Sequence, residues 1–293
     1  MKRKAFFVKS VYALMILIVL AAIFRGLRPS PMMQAWKEGH AMTRIACLFS
    51  DYSAHIKSKD KVISSDEESL PQDDSEDCPE ERTERFVALP DDVASEENEP
   101  LLSWRVAFLL ELQELKTDEE NDLNFLIEQW AGPSREGKMD DSDAEPFRYA
   151  DAVDLNSPWD VPSNAALLKN IPKLFNFDML PSFRFLGQRD DEVGTTTIFR
   201  VKETHRLIKE NKLVKGEDDA LPYIVFIDSS LREPWTKPND VSLEDVIENR
   251  TKLRLFYSKY WYIDANLALQ LVLKSDLEKT KDEWRDILRK RTR

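Results

Sequence analysis

Leu101 to Leu115 reads LLSWRVAFLLELQEL, and this stretch decides where the folded part of the chain begins. Its apolar residues form one long face that continues as an amphipathic helix, with Ser103 placed to cap it. Downstream the period changes. Thr195–Glu203, TTTIFRVKE, and Pro222–Asp228, PYIVFID, carry the β-branched and aromatic density of strands. KLRLFYS (252–258) and YWYIDANLALQLVL (260–273) alternate as strands do, with Asp264-Ala265-Asn266 in the place of a hairpin turn. Helical segments separate and follow these strands. SPWDVPSNAALLKNIP (157–172) reads as a turn and a short helix capped by Ser163 or Asn164, with Pro172 as the stop. Ser242 opens SLEDVIENR, with Asp245 three residues on as an approximate capping box. The chain ends in DLEKTKDEWRDILRKRTR, which sets Leu277, Trp284, Ile287 and Leu288 on one side and a basic last turn against the helix dipole. Only 7 glycines in 293 residues argue against a turn-rich all-β protein. The expected class is α+β: a small antiparallel sheet with packed helices.

Upstream of Leu101 the composition shifts twice. Ser58–Pro100 is acidic and Ser-rich with scattered Pro, and cannot bury enough apolar surface to offset its ordering entropy. It reads as a disordered linker. Before it, about Met32 to Ile56 is helical in pattern, with Met42, Ile45, Leu48, Phe49 and Tyr52 forming a stripe that packs on something else. Pro29 and Pro31 separate that helix from the amino end.

The amino end holds the most apolar run in the chain. Lys2, Arg3, Lys4 and Lys9 precede Val11–Phe24, VYALMILIVLAAIF. Counted from Ala5, the run meets the roughly 20 residues a membrane span needs. A cleaved signal peptide competes, with Val19-Leu20-Ala21 at the cleavage positions. The residues that would follow, Ala22-Ile23-Phe24-Arg25, make a poor mature start, so the reading is an uncleaved anchor in the cytoplasmic membrane. The basic cluster places the amino terminus in the cytoplasm and the bulk outside. The expected organisation is therefore a transmembrane anchor (1–28), a stem helix (29–57), the acidic linker (58–100), an extracytoplasmic α+β domain (101–273) and a basic C-terminal helix (274–293).

Charge and motif content bound the function. A net charge of −12 opposes nucleic-acid binding, which needs a basic footprint. The two cysteines, Cys47 and Cys78, leave two readings open: unpaired thiols, or one bridge closing a loop of roughly 30 residues and worth about 3–4 kcal/mol. His40 and His55 flank the stem stripe without ligand spacing, and His205 reads as a surface histidine. Asp141, Asp143 and Glu145 alternate as calcium ligands do, but their loop has neither the turn Gly nor the closing Glu of an EF-hand. Asp190-Asp191 and Asp218-Asp219 read as solvated pairs. With no nucleophile elbow, phosphate-cradling Gly loop or spaced metal ligands, the expectation is no enzyme, no cofactor and no metal.

The order of the pieces resembles the planctomycete pilin-like family that carries domain of unknown function 1559. The stem pattern of that family is followed by Met42-Thr43-Arg44-Ile45-Ala46-Cys47-Leu48-Phe49-Ser50-Asp51-Tyr52, and its S-W-R-V segment by Ser103-Trp104-Arg105-Val106. Its P-W-D-x-P-x-N and P-W-T-K-P-x-D segments match Pro158–Asn164 and Pro234–Asp240. Departures fall at both ends. Arg254 and Asp264-Ala265 stand where the family has a His and Asp-Gly. Ala5–Ser10 replaces the prepilin start, without its Gly or Glu. The resemblance implies a membrane-held structural or interaction protein, with the lipid bilayer and cell-envelope proteins as partners. Trp159 and Trp235 are the candidate partner- or ligand-binding residues, although stapling loops to the core is the preferred reading of both. An extracytoplasmic ligand-binding or sensory module is the alternative.

Overall fold

The run Pro222–Ile227 is buried at every position, as an unbroken apolar strand must be when both of its faces are covered. The computed structural model describes residues 42–57, 85–114, 148–172, 174–175, 194–227, 233–248, 255–256 and 259–293. The amino-terminal run, the acidic stretch 58–84, the Asp141/Asp143/Glu145 loop and Asp190-Asp191 lie outside these residues, as does Cys78. Among the described residues no helix is long and apolar enough to cross a membrane.

The protein is an α+β fold. In chain order the described elements are helix α1 (42–57), β1 (Val93–Ala94), β2 (Pro100–Leu102), α2 (Trp104–Glu114), α3 (Tyr149–Ala152) and a 3-10 turn (Pro162–Asn164) leading into α4 (Ala165–Lys169). They continue with β3 (Thr195–Thr196), β4 (Ile198–Arg200), α5 (Lys202–Lys209), β5 (Pro222–Phe226), β6 (Glu233–Pro234), α6 (Leu243–Ile247), β7 (Leu255–Phe256), β8 (Lys259–Asp264), β9 (Leu269–Leu273) and α7 (Leu277–Arg291). The main sheet runs β4-β5-β8-β9, antiparallel throughout, and β7 pairs with β8 as well. Its register sets Ile198 opposite Phe226, Ile224 opposite Ile263 and Trp261 opposite Leu271. Two short antiparallel pairs, β1-β2 and β3-β6, complete the strands.

Strand alternation sends side chains to two cores. Ile198, Ile224, Phe226 and Ile263 enter the first, with the α1 stripe (Met42, Ile45, Leu48, Phe49, Tyr52) and Trp104, Phe108 and Leu112 of α2. The Phe108 ring meets Phe49 and Tyr52 edge-on, at 4.9 and 5.1 Å. Phe199, Val225, Ile227 and Tyr262 enter the second, under Leu207 of α5, Leu243, Val246 and Ile247 of α6, and Leu277 and Trp284 of α7.

Several sequence expectations change. Residues 85–100 are built into the domain: Leu89 is buried, and Val93 and Pro100–Leu102 form the β1-β2 hairpin. Two of their acidic side chains, Asp91 and Asp92, find partners that are distant in sequence, which composition cannot show. The run TTTIFRVKE is strand only to Arg200; Lys202 already begins α5, with His205 N–H donating to the Val201 carbonyl. The Ser103 hydroxyl is turned to the Trp235 carbonyl, to which it donates at 2.7 Å. Asp92, 12 residues before the helix, takes the Trp104 N–H instead. Asn164 is buried but does not cap α4 with its side chain; that amide instead bonds the Asp154, Ser157 and Pro158 backbone. Asp218 is buried, binding the Val214 N–H and the Arg291 guanidinium.

Other expectations hold. Ser242 Oγ accepts the Asp245 N–H at 3.0 Å. The β8-β9 hairpin turns at Asp264, whose carboxylate accepts the Asn266 and Ala268 N–H groups. The left-handed residue of that turn is Leu267, at φ +63°, and its side chain is buried in the first core. Core burial of the kind that offers about 2 kcal/mol or more outweighs the roughly 1–2 kcal/mol such a conformation costs.

Helix α7 is a wall of the second core. Trp284 is fully buried, donates from Nε1 to the Ala220 carbonyl at 2.9 Å, and meets Tyr262 edge-on at 5.2 Å. Trp284→Ala is expected to cost about 3–5 kcal/mol, read as a lower urea midpoint. A loss under about 1 kcal/mol would contradict this role.

Candidate functional site

Trp235 is fully buried. Its Nε1 donates to the Leu167 carbonyl at 2.9 Å, Phe175 stacks on its ring at 6.3 Å, and Tyr149 meets it edge-on at 5.8 Å. It staples the Pro234–Pro238 loop to α4. Trp159 is half-buried, with its N–H on the Leu101 carbonyl and the Lys237 ammonium 5.9 Å from its ring centroid. The structure thus places one candidate in the core and the other at its margin, and does not bring their rings together in a single cleft.

The densest polar constellation among the described residues lies against the same loop, on residues to which the sequence reading gave no functional role. Trp104, Arg105 and Arg200 form its interior, all at 2 % exposure or less. Both guanidinium carbons lie near the Trp104 ring, at 5.5 Å for Arg105 and 5.7 Å for Arg200. Arg105 spends its donors on three carbonyls, those of Trp235 (2.8 Å), Ile198 (3.1 Å) and Lys237 (3.1 Å). Burial pushes its pKa down to about 10. Arg200 donates from Nε and Nη2 to Asp240 Oδ2, at 3.0 and 2.8 Å, and from Nη1 to the Pro90 carbonyl. Asp92 lies 3.8 Å from the same Nη2. Burial, then the Asp240 charge, holds the Asp92 carboxyl above its ordinary value.

Beside this pair runs a chain of three side chains. His205 is buried; its Nε2 lies 2.7 Å from Asp91 Oδ1 and its Nδ1 2.8 Å from the Tyr223 hydroxyl. Burial, then the Arg200 charge, holds the imidazole below its ordinary pKa. Asp91 is held below its ordinary value despite burial, which acts the other way, because His205 and Lys209 both bond it. An ionised carboxylate can only accept. A neutral His205 therefore carries its proton on Nε2, and its bare Nδ1 accepts from Tyr223. The Tyr223 oxygen in turn accepts the Leu89 N–H at 2.7 Å.

The order Asp-His-hydroxyl suggests a nucleophile, but the burial runs the other way. In a hydrolytic triad the hydroxyl meets the substrate. Here Tyr223 is fully buried, burial raises its pKa further, and the surface end is Asp91, whose side chain is 57 % exposed. The arrangement anchors the segment Leu89–Asp92. Among the described residues no group of His, Cys, Asp or Glu is placed to hold a metal. Cys47 is exposed on α1.

One sequence signal could have found His205. Thr204, His205, Leu207 and Ile208 share the buried face of α5, a helical spacing hidden when the strand is carried through Glu203. Asp91, Asp92 and Asp240 gave no local signal, since all their charged partners are distant in sequence.

No protein-family model matches the chain, and comparisons with curated proteins and with solved structures return no match either.

The Arg200–Asp240 pair is nearly buried, at 3 % and 13 % side-chain exposure. Removing one partner strands the other. Arg200→Met is expected to cost about 3–5 kcal/mol in urea unfolding, and Arg200→Met with Asp240→Leu less than Arg200→Met alone. A double variant that costs more than the single would show that the pair is not the unit that matters.

Proposed function

We propose that the chain is a single-pass, membrane-anchored extracytoplasmic protein, pilin-like in layout, with a structural or interaction role. One observation carries the reading. Helix α1, the first described element after the apolar amino-terminal run, has Met42, Leu48 and Phe49 fully buried in the first core with α2. A helix so embedded cannot be drawn out without opening the first core, so a chain anchored at its amino end keeps the domain attached through α1. The α+β class and the family-like P-W-D and P-W-T segments agree with this layout. Phe24 to Met42 leaves room for the Pro29-Pro31 break between anchor and stem. Of the two candidate tryptophans, Trp159 is the one a partner can reach, with Lys237 over its ring and exposed Asp160 beside it.

Carbonate extraction of membranes, with mass measurement of the mature amino terminus, tests the reading. The expected result is an integral-membrane product retaining the 1–28 segment, and release of the domain into the soluble fraction when 1–28 is deleted. A soluble wild-type product starting near Ala22 would overturn the anchor. Cleavage between Ala5 and Phe6 would strengthen the pilin-like assignment.

A further inference from the structure

Four consecutive residues are each held by groups of other elements. The Leu89 N–H donates to the Tyr223 hydroxyl on β5, and the Pro90 carbonyl accepts from Arg200 on β4. Asp91 accepts from His205 and Lys209 on α5, and Asp92 accepts the first N–H of α2. Strand pairing begins only at Val93. Around these bonds, Phe86, Val87 and Ala88 rest on the first core half-buried, and only Leu89 is inserted. A segment fixed this way can leave without breaking the sheet ladder, which gives it its own opening equilibrium.

We propose that residues 85–92 form a proton-sensitive strap, closed on α5 and β5 at neutral pH and released on mild acidification while the sheet and the rest of both cores stay folded. This goes beyond the membrane-anchor reading and does not depend on it. The imidazole of His205 faces Asp91 on the strap, Tyr223 on β5, Arg200 on β4 and Lys209 on its own helix. Three of its neighbours favour the neutral ring, namely two cations and a hydroxyl that donates to bare Nδ1; the fourth, the Asp91 carboxylate, favours the protonated ring, and burial with the Arg200 charge outweighs it. A proton on Nδ1 turns that hydroxyl hydrogen away from its acceptor, while the Tyr223 oxygen still takes the Leu89 N–H. It also adds a third positive charge to Arg200 and Lys209. Letting the strap go opens the imidazole to water and relieves both conflicts.

The direction with pH follows from the titrations. His205 is held below its ordinary value, about 6.5, in the closed state. Closure is therefore fully favoured above that value and weakens as pH falls through it toward the closed-state value. Asp91 is also held down, so it acts with the same sign nearer the ordinary carboxylate range. Asp92 is held up and acts oppositely: it takes up a proton when closed, which favours closure in acid. The His205 window opens first as pH falls, and Asp92 resists afterwards.

Hydrogen exchange on the full chain in detergent micelles, at pH 7.5 and 5.5 with times scaled for intrinsic exchange, tests this. Peptides spanning 85–92 are expected to lose protection several-fold at pH 5.5, while peptides of β5 and β8 keep theirs. His205→Gln is expected to abolish the difference and His55→Gln to leave it unchanged. Strap protection that ignores pH, or that is lost together with β5 and β8, overturns the proposal, as does pH-dependent release that survives His205→Gln. If His205→Gln fails to fold, wild-type exchange followed in steps from pH 7.5 to 5.5 decides: loss of strap protection alone supports the proposal, and unchanged protection or loss shared with β5 and β8 overturns it.

Discussion

Two buried guanidinium groups beside one indole impose the strongest demand in this structure. A charge leaves water only when its donors are matched, and Arg105 and Arg200 have donors pointing several ways. Arg105 meets the demand with backbone carbonyls, so the Trp235–Lys237 backbone must turn toward it and lie beside Ile198 of β4. Arg200 meets it with a carboxylate, which fixes Asp240 at the end of the same loop, and with the Pro90 carbonyl. The irregular path from Glu233 to Asp240 is thus set by charge satisfaction, with Trp235 pinned in the core as its other fixed point. Trp104 completes the arrangement because its ring faces both guanidinium groups and its N–H starts α2 on Asp92.

The sheet adds a second demand, that of area. Strands buried on both faces need helices on both sides. Helices α1 and α2 cover one face, but α5 and α6 are short, at 8 and 5 residues. The remaining cover on that side comes from α7, whose Trp284 reaches Tyr262 and the Ala220 carbonyl. What reads in the sequence as a basic appendage after the last strand is therefore a required part of the second core. Its basic last turn also has a specific use, since Arg291 binds buried Asp218 at 2.7 Å and Glu217 at 2.8 Å.

What could be read from sequence follows how local each cause is. The strand PYIVF announces its two-faced burial by its unbroken apolar run, the α1 stripe announces its buried side, and Ser242 caps its own helix three residues on. These causes act within a few residues. The polar constellation has no such locality. Arg200 and Asp240 are 40 residues apart, His205 and Asp91 are 114 apart, and Arg105 and the Trp235 carbonyl are 130 apart. Asp91 and Asp92 sit in an acidic, Pro-containing stretch whose composition is that of a linker, and only the folded partner surface distinguishes them from the carboxylates upstream. Trp159 and Trp235 were visible because Trp between prolines is unusual, yet the same context gives no sign that one is fully buried and the other lies at the margin.

The two attachments of the amino-terminal half to the sheet use different chemistry. Helix α1 is joined by apolar and aromatic packing, Phe49 and Tyr52 against Phe108, and the Tyr52 hydroxyl also donates to Glu111. Apolar burial does not change with proton concentration, and burial lifts the Tyr52 hydroxyl further from titration. The segment Leu89–Asp92 is joined through a histidine, two carboxylates, a lysine and an arginine, most of which change charge or partner strength with pH. The first attachment keeps α1 on the domain under every condition in which the core exists. The second can vary in strength without endangering the first, because Leu89 is its only fully inserted side chain. A chain whose domain must stay joined to its amino-terminal helix, while the segment between them changes its hold, is built with this division.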